Sequence, residues 1–543
     1  MGGRGARGQR CPGRPCTPGP SAAAGPAGLV VSSCGGDDKA EPGSAGPSET
    51  GSAMPNQVAG VEIPDGRVME AVDRVGGLAE ELMASSGIPG MAVAIVHDGR
   101  VVYSEGFGVG NVDSNSEIGP DTVFQLASVS KSVGATVVAQ QVTAGKVAWD
   151  TPINQLMPTF ALGDPYVTDH VTVGDLYAHR SGLPDHAGDL LEDLGYDRDQ
   201  VLERLRLLPL GPFRDSYEYT NFGVTAAATA VARAGATDWE TLSARELYEP
   251  LGMNATSSRY SDFAGRADRA DGHVFVDGEY RVANPGRQPD AQSPAGGVSS
   301  SVSDMAKWMT MVLANGSVHG RALIEPDDLL PAISPQSVAH PPQAADARAG
   351  FYGFGFNVGE SAAGRVTLSH SGAFDLGAAT AFTLIPSAGV GIVTLTNAAP
   401  IGVPETLNAE FADLVQFGDI TQDWRALYRQ AFVPMSEPTG ELAGATAPAD
   451  PAAARPLTDY AGVYDNPYYG PATITENAGA LTLTLGPENM SFPLTHWDGD
   501  IFVFTPTGEN AVPGTVSKAT FDGDELTLEY FDQDGLGSFD RGS

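Results

Sequence analysis

Strand-like segments lie near both ends of a long central part of the chain, with helix-like material between them. Residues 91–97 and 100–107 are apolar runs joined by an Asp-Gly dipeptide, which is typical of a tight hairpin turn. Residues 378–385 and 390–396 have the same strand-like composition. This distribution predicts an α/β (α+β) domain, in which an antiparallel sheet made from both ends is flanked by helices and carries a helical insertion.

A region of different character begins at residue 457. It contains short strand-like runs with turn residues between them, which predict a small all-β barrel or sandwich. These runs are 460–464, 472–476, 481–485, 501–505, 517–521 and 525–530.

A chain of 543 residues is too long for one ordinary hydrophobic core. We therefore predict five segments from its composition. They are a leader at 1–34, a flexible linker at 35–62, a main domain at 63–420, a second linker at 421–456 and a β-barrel domain at 457–543.

Composition excludes several classes of partner. The net charge of −36 argues against binding to nucleic-acid phosphate or to an anionic membrane surface. The three cysteines are Cys11, Cys16 and Cys34, so neither a disulfide framework nor a cysteine metal site supports the later part of the chain. The histidines show no His-Glu-x-x-His pattern. We expect a protein that needs no metal and no cofactor.

The N-terminus is similar to a bacterial lipoprotein signal. Several arginines precede a modestly apolar run at 22–31, and small residues lead to Cys34, which would carry the lipid. The alternative is a disordered leader or a misassigned start, with Met54 as the true one. We expect export to the cell envelope or the extracellular space, with membrane attachment through Cys34 if the lipoprotein interpretation holds.

Ser128 and Lys131 form a Ser-x-x-Lys tetrad that opens a long apolar stretch. Residues three apart share one face of a helix, so the amine would lie near the hydroxyl. A partly desolvated lysine can take the proton of a serine and make it nucleophilic. A solvated helix face is the alternative explanation for such a tetrad taken alone.

Two further motifs follow in order. Tyr219 and Asn221 form the second motif, Tyr-x-Asn. A tyrosine near a lysine can have a lowered pKa and exchange protons with the nucleophile and the leaving group. An amide can hold the lysine and a substrate carbonyl. The alternative for this segment is an aromatic-rich loop packed on the core.

The third motif is His370-Ser371-Gly372-Ala373, which we expect to lead into the strand near residue 378. A glycine at a strand edge allows a substrate to approach the backbone, and the next N–H can help to bind an oxyanion. A surface histidine at a strand end is the alternative.

The order Ser-x-x-Lys, Tyr-x-Asn, His-x-Gly resembles the serine β-lactamase and penicillin-binding-protein superfamily. The segments 179–184, 247–253 and 294–308 strengthen this resemblance, which covers about residues 65–415. Within the superfamily the chain looks like the class C β-lactamase-like branch, which includes family VIII esterases and D-amino-acid peptidases.

The resemblance implies a role for each motif residue. Ser128 would be the acylated nucleophile, Lys131 its base or the partner of its base, and Tyr219 the proton shuttle. Substrate would be bound by Asn221, His370, Ser371 and Gly372. The N–H groups of Ser128 and Ala373 would form the oxyanion hole.

One departure from the family pattern affects the expected substrate. Many members have lysine where this chain has His370, and a mostly neutral histidine is a weaker anchor for a substrate carboxylate. We therefore expect a serine hydrolase that cleaves esters, amides or peptides. The alternatives are a β-lactamase or penicillin-binding DD-carboxypeptidase, and a non-catalytic assembly protein on the same fold. The C-terminal barrel resembles domains that edge the active site or mediate assembly in relatives.

Overall fold

The computed structural model describes residues 60–542. The predicted leader, Cys34 and Met54 lie outside the described residues, so export and lipid attachment stay predictions, as do the segment boundaries. Within 60–542, we find no helix with both the length and the apolar character that crossing a membrane requires.

Strands before the barrel are numbered in chain order. They are β1 Gly90–His97, β2 Arg100–Asn111, β3 Ser116–Glu117, β4 Phe124–Gln125, β5 His273–Val276, β6 Glu279–Val282, β7 Ser299–Ser300, β8 Ser317–Val318, β9 Arg321–Ala322, β10 Ser337–His340, β11 Gly350–Tyr352, β12 Asn357–Glu360, β13 Val366–Phe374, β14 Ala378–Ile385 and β15 Val390–Thr396.

Helices are numbered in the same way. They are α1 Arg67–Ser86, α2 Val129–Thr143, α3 Ile153–Leu156, α4 Pro165–His170, α5 Val173–Tyr177, α6 Asp189–Asp193, α7 Arg198–Arg204, α8 Asn221–Ala234, α9 Trp239–Ser243, α10 Glu249–Leu251, α11 Tyr260–Ala264, α12 Ser293–Gly296, α13 Val302–Leu313, α14 Pro326–Leu329, α15 Val403–Phe417 and α16 Trp424–Phe432.

The main sheet is antiparallel and has the order β10-β11-β12-β13-β14-β15-β1-β2-β3. Early strand β1 pairs with late strand β15, from Met91 opposite Thr396 to His97 opposite Val390. This pairing confirms the prediction that both ends of the domain build one sheet around a helical insertion.

Side-chain alternation along β1 explains why helices cover both faces of the sheet. Met91, Val93 and Ile95 pack into a cluster with residues of α1 and α15. The intervening alanines and valine point the other way, into the cluster that contains residues of α2 and α13. A strand buried on both faces has to be apolar throughout, and β1 is buried from Gly90 to Val96.

The third motif does not precede a strand, as we expected, but lies inside one. His370 to Ala373 belong to β13, which is the hairpin partner of β14. Polar residues at alternate positions, such as Ser369 and Ser371, interrupt the apolar run that marks the other strands. Leu368 and the other buried residues of β13 alternate with these half-buried residues. Only this alternation marks β13 as a strand in the sequence.

Beyond the main domain, eight strands form a closed barrel, which confirms the predicted all-β region. They are β16 Gly462–Asp465, β17 Ala472–Asn477, β18 Ala480–Leu485, β19 Met490–Asp498, β20 Ile501–Phe504, β21 Ser517–Asp522, β22 Glu525–Leu528 and β23 Ser538–Arg541. The sequence did not indicate β19 or β23, because β19 contains Pro493 and only alternate residues of it are buried.

The barrel packs directly on the main domain. Tyr196 donates a hydrogen bond from its hydroxyl to the Tyr469 carbonyl at 2.7 Å, and Arg204 donates to the Tyr468 carbonyl at 3.1 Å. A single hydrophobic cluster contains buried residues of both parts. The barrel therefore extends the core that lies beneath the helical insertion.

Candidate active site

Ser128 lies directly before α2, at the end of a strand-to-helix turn. The preceding Ala127 is buried and has a φ of 46°, a left-handed conformation that costs roughly 1–2 kcal/mol for a residue with a side chain. The Leu126 N–H donates to the Val298 carbonyl at 2.8 Å, and the Leu126 carbonyl accepts from the Thr380 hydroxyl at 2.7 Å. These contacts hold Ser128 at a fixed position against β14.

Lys131 is fully buried one turn into α2. Its Nζ lies 3.0 Å from the Ser128 Oγ, 2.6 Å from the Asn221 Oδ1 and 3.1 Å from the Ala295 carbonyl. Burial lowers the pKa of Lys131 to about 7, while the charge of Asp189 acts to raise it. A neutral amine in this position can donate to the two carbonyl oxygens and direct its lone pair at the serine hydroxyl.

Tyr219 covers the lysine, with the Lys131 Nζ 4.5 Å from the centroid of its ring. Burial raises the pKa of Tyr219 well above its ordinary value, although a hydrogen bond with Ser128 acts to lower it. The expectation of a lowered pKa is therefore wrong, because the loss of phenolate hydration outweighs this hydrogen bond. Tyr219 keeps its proton at neutral pH and can donate it.

The Asn221 amide connects two charged side chains. Its Oδ1 accepts from Lys131, and its Nδ2 donates to the Asp189 Oδ2 at 2.8 Å. Asn221 is buried at the start of α8. Its first observed task is thus to hold the lysine, and contact with a substrate remains a prediction.

His370 is buried in β13, and both of its ring nitrogens have protein partners. Nε2 lies 2.7 Å from the Tyr352 hydroxyl, and Nδ1 lies 2.6 Å from the Ser371 carbonyl. Burial lowers the pKa of His370 to about 3, and the charge of Lys131 acts in the same direction. The imidazole is neutral, with Nδ1 as the donor and Nε2 as the acceptor.

Gly372 allows β13 to pass close to the nucleophile. A Cβ atom added at Gly372 would lie 2.2 Å from the Leu126 carbonyl oxygen and 3.0 Å from the Ser128 backbone nitrogen. Strand β12 pairs with β13 only as far as Ser369, so within residues 60–542 no strand covers the edge of β13 from there to Ala373. The structure therefore brings the backbones of Ser128 and the third motif together, as an oxyanion hole requires.

Glu405, near the start of α15, is a carboxyl group beside the third motif. Burial raises its pKa to about 7, while hydrogen bonds from its own backbone and from Ser371 act to lower it. Within residues 60–542, one of its oxygens, Oε2, is buried without a hydrogen-bond partner. Ser371 and Gly372 are adjacent in β13, so they face opposite sides of the sheet. Gly372 faces Ser128, and Glu405 therefore lies on the other side, together with α1 and α15.

Two groups that connect to Lys131 through Asn221 were not predicted from the sequence: Asp189 and His186. Asp189 and His186 follow closely on the segment 179–184, which the family resemblance singled out. That proximity was the available signal, but their contact with Asn221 depends on how α6 and α8 pack.

A cleft of about 1270 Å³ lies between the main domain and the barrel. Its walls include Trp239, Arg287 and Leu376 from the main domain, and Met490 and Glu509 from the barrel. Leu376 belongs to the turn that follows β13, so the cleft adjoins the strand of the third motif. Ser128, Lys131, Tyr219 and His370 are not among the residues that line this cleft. Among residues 60–542, no group of three or more His, Cys, Asp or Glu is placed to hold a metal ion.

Comparison with known proteins gives two family matches. The Beta-lactamase family model matches residues 75–417, and a model described as Domain of unknown function (DUF3471) matches residues 446–530. The chain is 28% identical over 409 residues to "Unguisins hydrolase ungD'" of Aspergillus campestris, which covers 71% of this chain and 73% of that protein.

Two further comparisons connect the chain with penicillin-binding proteins. It is 36% identical over 120 residues to penicillin-binding protein 4 of Amycolatopsis lactamdurans, covering 22% of this chain and 30% of the relative. The octameric penicillin-binding protein homologue from Pyrococcus abyssi has a TM-score of 0.57 at 19% identity, covering 84% of this chain and 98% of that chain. This last likeness concerns the fold alone.

Proposed function

This chain belongs to the Beta-lactamase family, and from that premise we propose that it is a serine hydrolase that forms an acyl-enzyme on Ser128. One observation carries the proposal. The Lys131 Nζ is fully buried, lies 3.0 Å from the Ser128 Oγ and has a pKa lowered to about 7 by burial. It can thus act as a general base at neutral pH.

The proposed reaction has two halves. Lys131 takes the proton of the Ser128 hydroxyl while Oγ attacks the substrate carbonyl carbon, and the N–H groups of Ser128 and Ala373 stabilise the oxyanion. Tyr219, which holds its proton, protonates the leaving group as the carbon–heteroatom bond breaks, and the protonated Lys131 returns a proton to Tyr219. Neutral Lys131 then takes a proton from the water that attacks the acyl-enzyme, and it passes this proton to the Ser128 Oγ as the acyl–oxygen bond breaks.

Esters, amides and peptides are the proposed substrates. The neutral His370 weakens recognition of a substrate carboxylate. A relative is named as a hydrolase of unguisins. The second candidate function, β-lactam acylation or hydrolysis, is favoured by the match to penicillin-binding protein 4.

The test compares hydrolysis of a short-chain nitrophenyl ester with that of a chromogenic cephalosporin. Ser128→Ala should abolish ester turnover, reducing kcat/KM by about 10⁴-fold or more, while the circular dichroism spectrum and Tm stay near those of wild type. Mass spectrometry of a slow ester substrate should find the acyl group on the peptide that contains Ser128.

Each candidate function predicts a different result in these measurements. Ester turnover by Ser128→Ala within a few-fold of wild type would contradict the proposal. Comparable cephalosporin turnover would make β-lactamase the working function, and a stable penicillin adduct without turnover would favour a penicillin-binding protein. A folded protein that no active-site serine probe labels would support the non-catalytic alternative.

A further inference from the structure

A chain of hydrogen bonds connects the solvent with Lys131. His186 has a side chain that is 54% exposed, and its Nδ1 lies 2.8 Å from the Asp189 Oδ2. The same carboxylate oxygen accepts from the Asn221 Nδ2 at 2.8 Å. The Asn221 Oδ1 in turn accepts from Lys131 at 2.6 Å. An exposed imidazole is therefore linked to the buried amine through one carboxylate and one amide.

Asp189 is the buried charged group in this series of hydrogen bonds. Its side chain is only 3% exposed, and its Oδ1 has no hydrogen-bond partner in the described part of the chain. An incompletely paired carboxylate in a buried place acts strongly on nearby charges. Asp189 favours the charged form of Lys131, in opposition to burial, which is the larger influence.

When His186 is protonated, it is the cation that compensates Asp189. Burial acts to lower the pKa of His186, but the hydrogen bond and the charge of Asp189, together with the charge of Asp185, raise it above its ordinary value. A protonated His186 screens Asp189 and so limits the pull of the carboxylate on the lysine proton.

The other titratable groups around Lys131 are neutral near pH 7. Burial is the main cause of the lowered pKa of His179 and His370 and of the raised pKa of Tyr217, Tyr219 and Tyr352. Asp185 lies on the solvent side of His186, 3.8 Å from its Nε2. From the barrel, Tyr468 and Asp534 face these residues: burial raises the pKa of both, and the charge of Asp185 raises that of Asp534 further. Asp189 and His186 are the charged pair that hydrogen bonds connect to the lysine.

We propose that His186 is a positioning residue that sets the protonation state of Lys131 through Asp189 and Asn221. The proposal rests on the proposed function, in which Lys131 must be neutral to accept the serine proton. His186→Gln removes the compensating cation and raises the pH at which Lys131 loses its proton. Asp189→Asn removes the anion and lowers that pH. Opposite signs from two neighbouring substitutions are not expected of residues with only a structural role.

Lys131 can be observed directly, because the full chain has only five lysines, at 39, 131, 146, 307 and 518. Lysine labelled with ¹³C at Cε reports each pKa by NMR, and Lys131→Arg assigns the signal. We expect the titration midpoint to rise by about 0.5–1 pH unit in His186→Gln and to fall by a similar amount in Asp189→Asn. His170→Gln is the control, since His170 is an exposed histidine of α4 stacked on Tyr166.

The pH dependence of kcat/KM with the nitrophenyl ester is the second measurement. His186→Gln should lower the rate at pH 6.5 by about three- to tenfold and leave it within about twofold at pH 9, because Lys131 is neutral there in both proteins. Asp189→Asn should shift the acidic limb of the pH profile of kcat/KM to lower pH.

Either measurement can overturn the proposal. An unmoved Lys131 midpoint in His186→Gln, or shifts of the same sign in both variants, would refute it. His186→Gln alters an exposed side chain and keeps the test decisive if Asp189→Asn does not fold. Because NMR reads the lysine without turnover, a failed proposed function and a failed proton-setting role give different results.

Discussion

At the scale of single residues, the protonation of Lys131 is the property on which the proposed chemistry depends. The side chain is fully buried, and burial lowers its pKa to about 7. A general base is active in its unprotonated form, so kcat/KM should rise about tenfold per pH unit below pH 7 and level off above pH 8. Measurement of kcat/KM from pH 5 to 9 checks this expectation.

Lys131→Arg tests the same property by substitution. A guanidinium stays protonated and cannot accept the proton of Ser128, so we expect kcat/KM to fall by about 10²–10⁴-fold. Activity within tenfold of wild type would show that Lys131 is not the base. The Tm must be measured beside the rate, because the longer side chain has to fit a fully buried position.

At the scale of elements, the contact between β13 and the turn before α2 builds the oxyanion site. Gly372→Ala would place a methyl group 2.2 Å from the Leu126 carbonyl oxygen and 2.4 Å from the Thr380 hydroxyl. Either β13 or the turn has to move. We expect a loss of stability of about 1–3 kcal/mol and a fall in kcat/KM of about 100-fold or more.

Gly359→Ala is a matched control in the same sheet. Gly359 lies in β12, and an added Cβ would meet only the Thr367 hydroxyl, at 3.2 Å. We expect a change in stability within about 0.5 kcal/mol and nearly unchanged kcat/KM. Equal losses of activity in the two variants would refute the view that the approach of β13 to Ser128 is specific to Gly372. Thermal unfolding and ester kinetics provide both measurements.

At the scale of the whole molecule, a barrel loop holds the turn that follows the third motif. The Glu509 carboxylate accepts from the Asp375 N–H at 2.7 Å and from the Leu376 N–H at 3.3 Å. The Glu509 N–H donates to Asp193 of α6 at 3.1 Å. The barrel thus contacts both β13 and the helix that begins with Asp189, and its presence supports the geometry of the site.

Burial raises the pKa of Glu509 to about 8, although Arg287 acts to lower it. The pKa of Glu509 is higher in the folded than in the unfolded protein. Glu509 therefore contributes fully to the free energy of unfolding below about pH 4.5, and this contribution is lost as the pH rises through 8. The free energy of unfolding of the wild type should thus decline between pH 5 and 9, and Glu509→Gln should reduce this decline by roughly 2–4 kcal/mol. Burial raises the pKa of Asp375 to about 6. Asp375 therefore causes a smaller decline in the free energy of unfolding, which remains in Glu509→Gln.

Urea unfolding at several pH values measures this decline. Glu488→Gln is the control, since Glu488 is an exposed residue of another loop of the barrel that also lines the cleft. A decline of equal size in wild type, Glu509→Gln and Glu488→Gln would show that Glu509 is not its source. A smaller decline in Glu509→Gln alone would support the coupling between the barrel and the catalytic domain.

The sequence by itself determined four strands of the main sheet and the three motifs. Alternation and turn residues are local properties, so the strands 378–385 and 390–396 were located correctly. Helical spacing likewise placed Ser128 and Lys131 on one face of α2, and the structure puts their side chains 3.0 Å apart.

Only the tertiary structure decided the environment of these groups. The chain His186–Asp189–Asn221, the pKa direction of Tyr219 and the approach of Gly372 to Ser128 all depend on segments that are distant in sequence. Burial and long-range charge arise from packing and have no local signature. For the same reason, the contact of Glu509 with the turn after β13 could not be read from the sequence: it exists only because the barrel docks on the main domain.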